Sequence, residues 1–284
     1  MKIGLYINKT KQKLPLALDI IFELFSMDNN EIIFLNELDF IEKIYKIKVN
    51  RSNDSTKINY DILVAVGGDG TIMAAIKSQF HLNKPIIGVH VGNLGFLAES
   101  DLNNCFDTLK RIKDNNYQTQ FRSVFNVSVN KDNFIVINDV VIDRGESGRI
   151  IRLNVHDRKS DVNNYVGDGL IISTANGSTG YSLSAGGPII SPNLNLFTLT
   201  PICSHSLTTR TIVLSQESEL FVTFPHGQDK GKLTIDGQTT LTLKNKMKLG
   251  IRILDKKVPF IIIDESNYYQ KLRSKMGWYN STNE

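Results

Sequence analysis

The densest chemistry in the chain is Gly67-Gly68-Asp69-Gly70-Thr71. Its glycines free the backbone to approach a ligand, and an acid sits among them. Ahead of it, Ile62-Leu63-Val64-Ala65-Val66 is a short apolar run suited to a buried parallel strand. Behind it, residues 71–80 read as a helix. A glycine turn between strand and helix puts bare N–H groups and a helix N-terminus at one point, which attracts phosphate. A carboxylate beside a phosphate is repelled unless it holds a divalent metal or accepts a proton from an attacking hydroxyl. A turn that caps the helix is the competing, purely structural reading of Asp69. The buried strand before it and the helix after it favour phosphate chemistry. Neither Gly-x-x-x-x-Gly-Lys-Ser/Thr nor a Gly-x-Gly-x-x-Gly that opens a helix is present.

Three further groups carry polar side chains where apolar ones are expected. Asn138-Asp139 interrupts Phe134-Ile135-Val136-Ile137 and Val140-Val141-Ile142. Buried polar residues need partners. Either this is a β-bulge with both side chains in solvent, or the amide and the acid bind two ribose hydroxyls. Asp168 lies in Gly167-Asp168-Gly169, which by itself reads as a turn. The loop from Ser173 to Pro188 is dense in small residues and hydroxyls, which let a ligand approach the backbone and adapt as donors or acceptors. Its flanks, Leu170-Ile171-Ile172 and Pro188-Ile189-Ile190, argue against a flexible linker. Hydrolysis is disfavoured: the loop has no Gly-x-Ser-x-Gly, and His205 has no acid partner visible in sequence. The five histidines, His81, His90, His156, His205 and His226, show no zinc spacing, so no metal-ligating residues are expected.

With 284 residues the chain is long enough for one large or two medium domains. A net charge of +4, from scattered basic residues, suits a small anionic ligand and is too small to argue for nucleic acid, so no nucleic-acid partner is expected. The two cysteines, Cys105 and Cys203, are far apart and point to a reducing cytosol. The first residues do not read as a signal peptide, and no run reaches membrane-span length, so a cytoplasmic protein without membrane contact is expected.

Strands at 2–8, 31–35, 61–67 and 85–91 alternate with helices at 15–27, 38–47, 71–80 and 101–114, with a polar loop at 50–59. This alternation predicts a doubly wound sheet whose ligands bind beyond the carboxyl ends of the strands. Both glycine turns, at 67–71 and 92–97, fall on that edge. From about residue 117 the pattern changes to many short strands, with a hairpin turn at Lys131-Asp132-Asn133. The expected fold is α/β: a doubly wound N-terminal domain, residues 1–118, plus a β-rich C-terminal domain, residues 119–263. A closing helix is expected within 266–276, and a frayed tail at 280–284.

Together these pieces resemble the NAD kinase family, of the compact bacterial type. The match rests on Gly67-Gly68-Asp69-Gly70-Thr71, Gly92-Asn93-Leu94-Gly95-Phe96-Leu97, Asn138-Asp139, Gly167-Asp168-Gly169, the hydroxyl loop through Pro188, and Thr200-Pro201-Ile202-Cys203-Ser204-His205-Ser206-Leu207. The first turn also occurs in diacylglycerol, sphingosine and phosphofructokinases; the hydroxyl loop and the Thr-Pro-Ile stretch are more specific. The resemblance implies transfer of the ATP γ-phosphate to the 2′-hydroxyl of the adenosine ribose of NAD, giving NADP. It implies Mg²⁺ or another divalent cation arriving with ATP, a homodimer or homotetramer, and residues 264–284 returning to the first domain.

By position, Asp69 would be the general base, with Gly68 and Gly70 beside it. Asn138 and Asp139 would hold the ribose and pyrophosphate region. Thr179, Gly180, Tyr181 and Ser184 would surround the adenine, with Ser182 among the binding residues. Asp168 and Cys203 of an adjoining subunit would face the nicotinamide, and Gln238 is a further carried-over contact. The chain departs from the family pattern at Asp139 (usually glutamate), Val166 (often arginine or lysine), Asn176 (usually a proline or threonine region), Gly180 (alanine) and His90 (often asparagine). A lipid kinase built on the same turn, and a non-catalytic dinucleotide-binding regulator, are the two competing functions.

Overall fold

The computed structural model describes residues 1–26, 30–46, 58–92, 95–225, 230–244, 247–264 and 267–278. Most of the loop expected at 50–59 lies outside them, as do Met27, Ile47, Asn93, Leu94, His226, Ser266 and the tail from Asn280. The chain divides into two units, one of Met1–Gln120 with Val258–Glu284, the other of Phe121–Lys257.

In the first unit β1 (Lys2–Ile7), α1 (Leu14–Phe25), β2 (Glu31–Phe34), α2 (Leu38–Tyr45), β3 (Ile62–Gly67), α3 (Asp69–Gln79), β4 (Ile86–His90), β5 (Ser100–Asp101) and α4 (Cys105–Lys113) follow in order. At β6 (Gln118–Arg122) the chain passes to the second unit. All residues of β3 and β4 are buried, as their continuous apolar sequences require of a strand covered on both faces. The α1 stripe Leu14, Ala17, Leu18, Ile21, Leu24 and Phe25 packs on one face, with Cys105, Leu109 and Ile112 of α4. On the opposite face α3 lies so close that a side chain at Gly88 would begin 2.3 Å from Ile72 Cδ1. The close approach needs glycine there.

The second unit contains β7 (Phe125–Val129), β8 (Asp132–Val136), β9 (Asp139–Asp143), β10 (Ile151–Asp157), β11 (Asp161–Gly167), β12 (Gly169–Ser173), a four-residue helix α5 (Tyr181–Ser184), β13 (Leu196–Ile202), β14 (Ile212–Ser215), β15 (Glu219–Thr223), β16 (Lys230–Ile235), β17 (Thr239–Lys244) and β18 (Leu249–Ile253). They form two antiparallel sheets, ordered β11-β10-β15-β18-β7-β8 and β14-β13-β12-β9-β16-β17. Inward residues of both sheets, with Phe125 stacked on Phe197 at 4.7 Å, make one core between them. The chain then returns to the first unit as β19 (Val258–Ile262) and α6 (Asn267–Met276).

Several elements differ from the sequence expectation. Residues 258–263 were expected in the β-rich domain, but β19 runs parallel to β4, with Phe260 opposite Ile86, in the sheet ordered β2-β1-β3-β4-β19-β6. All five residues of Val258–Ile262 are buried, the signature of a strand covered on both faces rather than of a half-exposed sandwich strand. The expected strand through Asn138-Asp139 is two strands, β8 in one sheet and β9 in the other, with the pair at the corner between them. The β7–β8 hairpin turns at Asn130-Lys131, one residue earlier than expected, because Asn130 takes the left-handed conformation (φ +56°) that a two-residue turn needs.

Candidate active site

In the first unit the chemistry gathers at the carboxyl edge of the parallel sheet. Asn36, after β2, closes that edge by accepting from Ile7 N at 2.8 Å and donating to Ile7 O at 2.7 Å. Asn8, after β1, donates to Thr71 Oγ1 at 3.3 Å. Thr71 in turn sits against Gly67, where a Cβ would lie 2.4 Å from its hydroxyl, so the first glycine of the turn is required by packing. Gly68 is the N-cap of α3; it has no side-chain capping bond, and the space beside its Cα is open to 4 Å.

Asp69 is held firmly. Its Oδ2 accepts from Phe96 N at 2.8 Å and its Oδ1 from Leu97 N at 3.1 Å, which ties the first glycine turn to the second. A Cβ at Gly95 would lie 1.8 Å from Asp69 Oδ1, so glycine there lets the backbone fold onto the carboxylate. A carboxylate has about four lone-pair sites, so two backbone bonds orient Asp69 and leave it able to accept a further proton. His90, at the end of β4, is 7 % exposed, and its buried Nδ1 has no hydrogen-bond partner. Burial lowers its pKa from the ordinary value; Asp101 and Asp69 oppose that shift, while Lys11 and Lys275 add to it.

In the second unit the predicted residues fall into two groups at opposite ends of β12. Ser173 at one end is opposite Asp139, and Gly169 at the other is opposite Ile202 and Asp143. Four strand steps separate the ends by about 13 Å. At the first end the corner Ile137-Asn138-Asp139 wraps around Asp236. The Asp236 carboxylate accepts from Ile137 N (3.0 Å), Asn138 N (2.7 Å) and Asp139 N (3.1 Å). Asp139 is buried, and a Cβ at Gly180 would lie 3.6 Å from its Oδ2. Asn138 Oδ1 is buried without a hydrogen-bond partner. Gln238 is exposed in the turn of the β16–β17 hairpin, two residues past Asp236.

The hydroxyl loop is anchored here as well. Thr174 Oγ1 donates to Ile137 O at 2.7 Å, and a Cβ at Gly177 would lie 2.2 Å from Asn138 O. Ser178 Oγ accepts from Ile190 N at 3.1 Å, and Ser182 Oγ is 2.9 Å from Thr200 Oγ1. Ser173, Thr174, Ser178 and Ser182 are fully buried. Those hydroxyls therefore shape the loop, and the surfaces it presents are Thr179 and Gly180, partly exposed, and Tyr181 and Ser184, exposed.

At the other end of β12, Asp168 N donates to Ile202 O at 2.9 Å and its carboxylate pairs with Arg144 Nε at 3.0 Å. Cys203 is exposed and adopts φ +43°. Gly167 is pressed against Cys203 O, 2.8 Å from where a side chain would begin. The structure thus brings Asn138, Asp139, Thr179–Ser184 and Gln238 to one edge and Asp168 with Cys203 to the other. Sequence reasoning missed Asp236 and Arg144. Asp236 was hidden in an Asp-Gly hairpin turn, where φ +49° and φ +64° at Asp236 and Gly237 are the ordinary expectation. Arg144 follows an apolar strand and carried no motif. Val166, where the family resemblance expects a cation, has Arg152 as its cross-strand neighbour.

A phosphate-attracting turn carrying an oriented carboxylate, together with a β-rich unit presenting a polar corner and a hydroxyl loop, defines a two-unit nucleotide kinase. Comparison with known proteins fixes which one. Residues 27–117 match the profile of the ATP-NAD kinase N-terminal domain and residues 137–263 that of the ATP-NAD kinase C-terminal domain. The NAD kinase of Chloroherpeton thalassium is 35 % identical over 283 residues, covering 98 % of both chains. Yeast NADH kinase, solved with NADH, matches with a TM-score of 0.85 at 22 % identity over 100 % of this chain and 89 % of its own. The Archaeoglobus fulgidus NAD kinase solved with ATP matches at 0.74 and 23 % identity, over 96 % and 99 %. The chain belongs to the NAD kinase family, and its reaction is the ATP-dependent phosphorylation of NAD.

Proposed function

We propose that Asp69 takes the proton from the 2′-hydroxyl of the adenosine ribose of NAD as that oxygen attacks the γ-phosphorus of ATP, giving NADP and ADP. The observation that carries this is the Asp69 carboxylate, oriented by two backbone N–H groups beside an open glycine turn. Phosphoryl transfer is mostly positioning and charge neutralisation, so a held carboxylate and bare backbone donors are the parts the protein must supply. Asn138 and Asp139 take the ribose and pyrophosphate, and Thr179, Gly180, Tyr181 and Ser184 take the adenine. Ser182 contributes from behind, through its bond to Thr200. Gly68 and Gly70 offer backbone to the phosphates, and Gln238 lies on the same edge as Asp139.

The ATP phosphates would carry Mg²⁺ or another divalent cation, which would supply charge neutralisation. The phosphates would supply most of that cation's ligands, since such ions are usually held by one or two carboxylates plus substrate phosphates. Asp168 and Cys203, at the opposite end of β12 from Asp139, face the nicotinamide of a dinucleotide bound on a neighbouring copy, as the family resemblance implies, in a homodimer or homotetramer. Among the described residues no helix is long and apolar enough to cross a membrane, which is compatible with work in the cytoplasm.

The test is incubation of the purified protein with ATP, Mg²⁺ and NAD, with NADP measured directly and diacylglycerol or sphingosine offered in parallel. NADP formation supports the reading. Lipid phosphorylation without NADP, or NAD binding without turnover, contradicts it.

A further inference from the structure

Two lysines from distant parts of the sequence converge on the catalytic edge of the first unit. Lys11, in the segment between β1 and α1, places Nζ 3.9 Å from where a side chain at Gly92 would begin. Lys275, near the end of α6, lies over the ring of Phe96, 4.5 Å from its centroid, and Phe96 N is bonded to Asp69. Both ammonium groups act electrostatically on His90. Lys2, Lys9 and Lys271 are each within 2.9 Å of a carboxylate, but among the described residues neither Lys11 nor Lys275 forms an ion pair. His90 ends β4 on the same edge, and its buried Nδ1 has no hydrogen-bond partner.

The two lysines stand at an edge that already holds an open helix N-terminus. The edge carries two carboxylates, Asp69 and Asp101, which by themselves would repel a polyphosphate. We infer that Lys11, Lys275 and His90 form a cradle for the triphosphate of the donor nucleotide, with the lysines on its flanks and the imidazole on its floor. The inference rests on ATP as the phosphoryl donor, and adds residues that the motif-based assignment does not contain. The two lysines offset the two carboxylates, so the donors of the glycine turn meet the phosphates without net repulsion. An ammonium is a compact point charge on a flexible stem and can follow a phosphoryl group from ATP toward the acceptor. The cradle also accounts for the return of the chain to the first unit, since α6 brings Lys275 to an edge built by residues far earlier in the sequence.

The probe is inorganic tripolyphosphate, which carries the charge of the donor without base or ribose. Calorimetric titration of the full chain should show each of Lys11→Gln and Lys275→Gln weakening tripolyphosphate and ATP about tenfold, and the double variant about a hundredfold. NAD affinity should change by less than about twofold, and Lys275→Arg should restore most of the loss. Those shifts should shrink as salt is raised. Unchanged tripolyphosphate affinity in the double variant overturns the cradle, as does an equal loss of NAD and ATP affinity. The outcome is separable from the overall function. A wild-type protein that forms no NADP yet binds tripolyphosphate through these lysines upholds the cradle and refutes the reaction. NADP formation at wild-type ATP affinity in the double variant does the reverse.

Discussion

Asp236 shows how one side chain can set the geometry of a site it was not expected to serve. Its carboxylate is the acceptor for three consecutive N–H groups at the Asn138-Asp139 corner. Asp236→Ala should leave those donors unsatisfied, two of them buried, and lower unfolding free energy by about 3 kcal/mol or more. Asp236→Asn keeps one acceptor oxygen and should cost less. Chemical denaturation measures the loss, and NAD titration should show weaker binding in both variants, because the corner no longer holds Asn138 and Asp139 in place. His90 gives a second prediction at this scale. Its folded pKa is below the unfolded value of 6.5, so the unfolded chain binds the proton more readily. Stability associated with His90 is therefore present above about pH 6.5 and lost as pH falls through that value toward the folded pKa. Denaturation midpoints between pH 5 and 8 should fall on the acid side in the wild type, and His90→Asn should flatten that fall.

At the scale of elements, α6 is fastened to the first unit by a nearly buried charge pair. Lys271 Nζ lies 2.9 Å from Glu99 Oε2, while Glu99 Oε1 accepts from Ile263 N at 3.0 Å. Glu99→Gln should leave the Lys271 ammonium uncompensated and cost about 3–5 kcal/mol. Limited proteolysis should then cut first within residues 264–278, and a wild-type cleavage pattern would contradict the anchoring role. How much was legible in sequence follows from how local each signal is. The strand-turn-helix around Asp69 was readable because apolar run, glycines and helix are contiguous. The membership of Val258–Ile262 in the parallel sheet was not, because a partner strand far away in sequence decides it and counting short strands placed it elsewhere. The corner at Ile137-Asn138 was misread for a related reason: an apolar run with a polar break looks the same whether the strand bulges or changes sheet. Most of the hydroxyl loop's serines and threonines fasten the loop to itself and to neighbouring segments, and sequence density alone could not separate lining from scaffolding.

For the whole molecule, the proposed assignment of Asp168 to a dinucleotide on a neighbouring copy means that sites are completed between copies. Asp69→Asn and Asp168→Ala protomers, each inactive alone, should recover part of the activity when unfolded and reassembled together, with mixed oligomers confirmed by mass. No recovery in confirmed mixed oligomers would contradict shared sites. Turnover of Asp69→Asn tests most directly whether Asp69 is the base in NAD phosphorylation. The amide keeps the volume but can accept only one of the two N–H bonds from Phe96 and Leu97, so the variant should lose about 1–3 kcal/mol of stability and must be assayed well below its melting temperature. NADP formation from saturating ATP and NAD should fall by about a hundredfold to ten-thousandfold, with NAD affinity within about twofold of wild type. Folded Asp69→Asn protein that makes NADP at close to the wild-type rate would contradict the account.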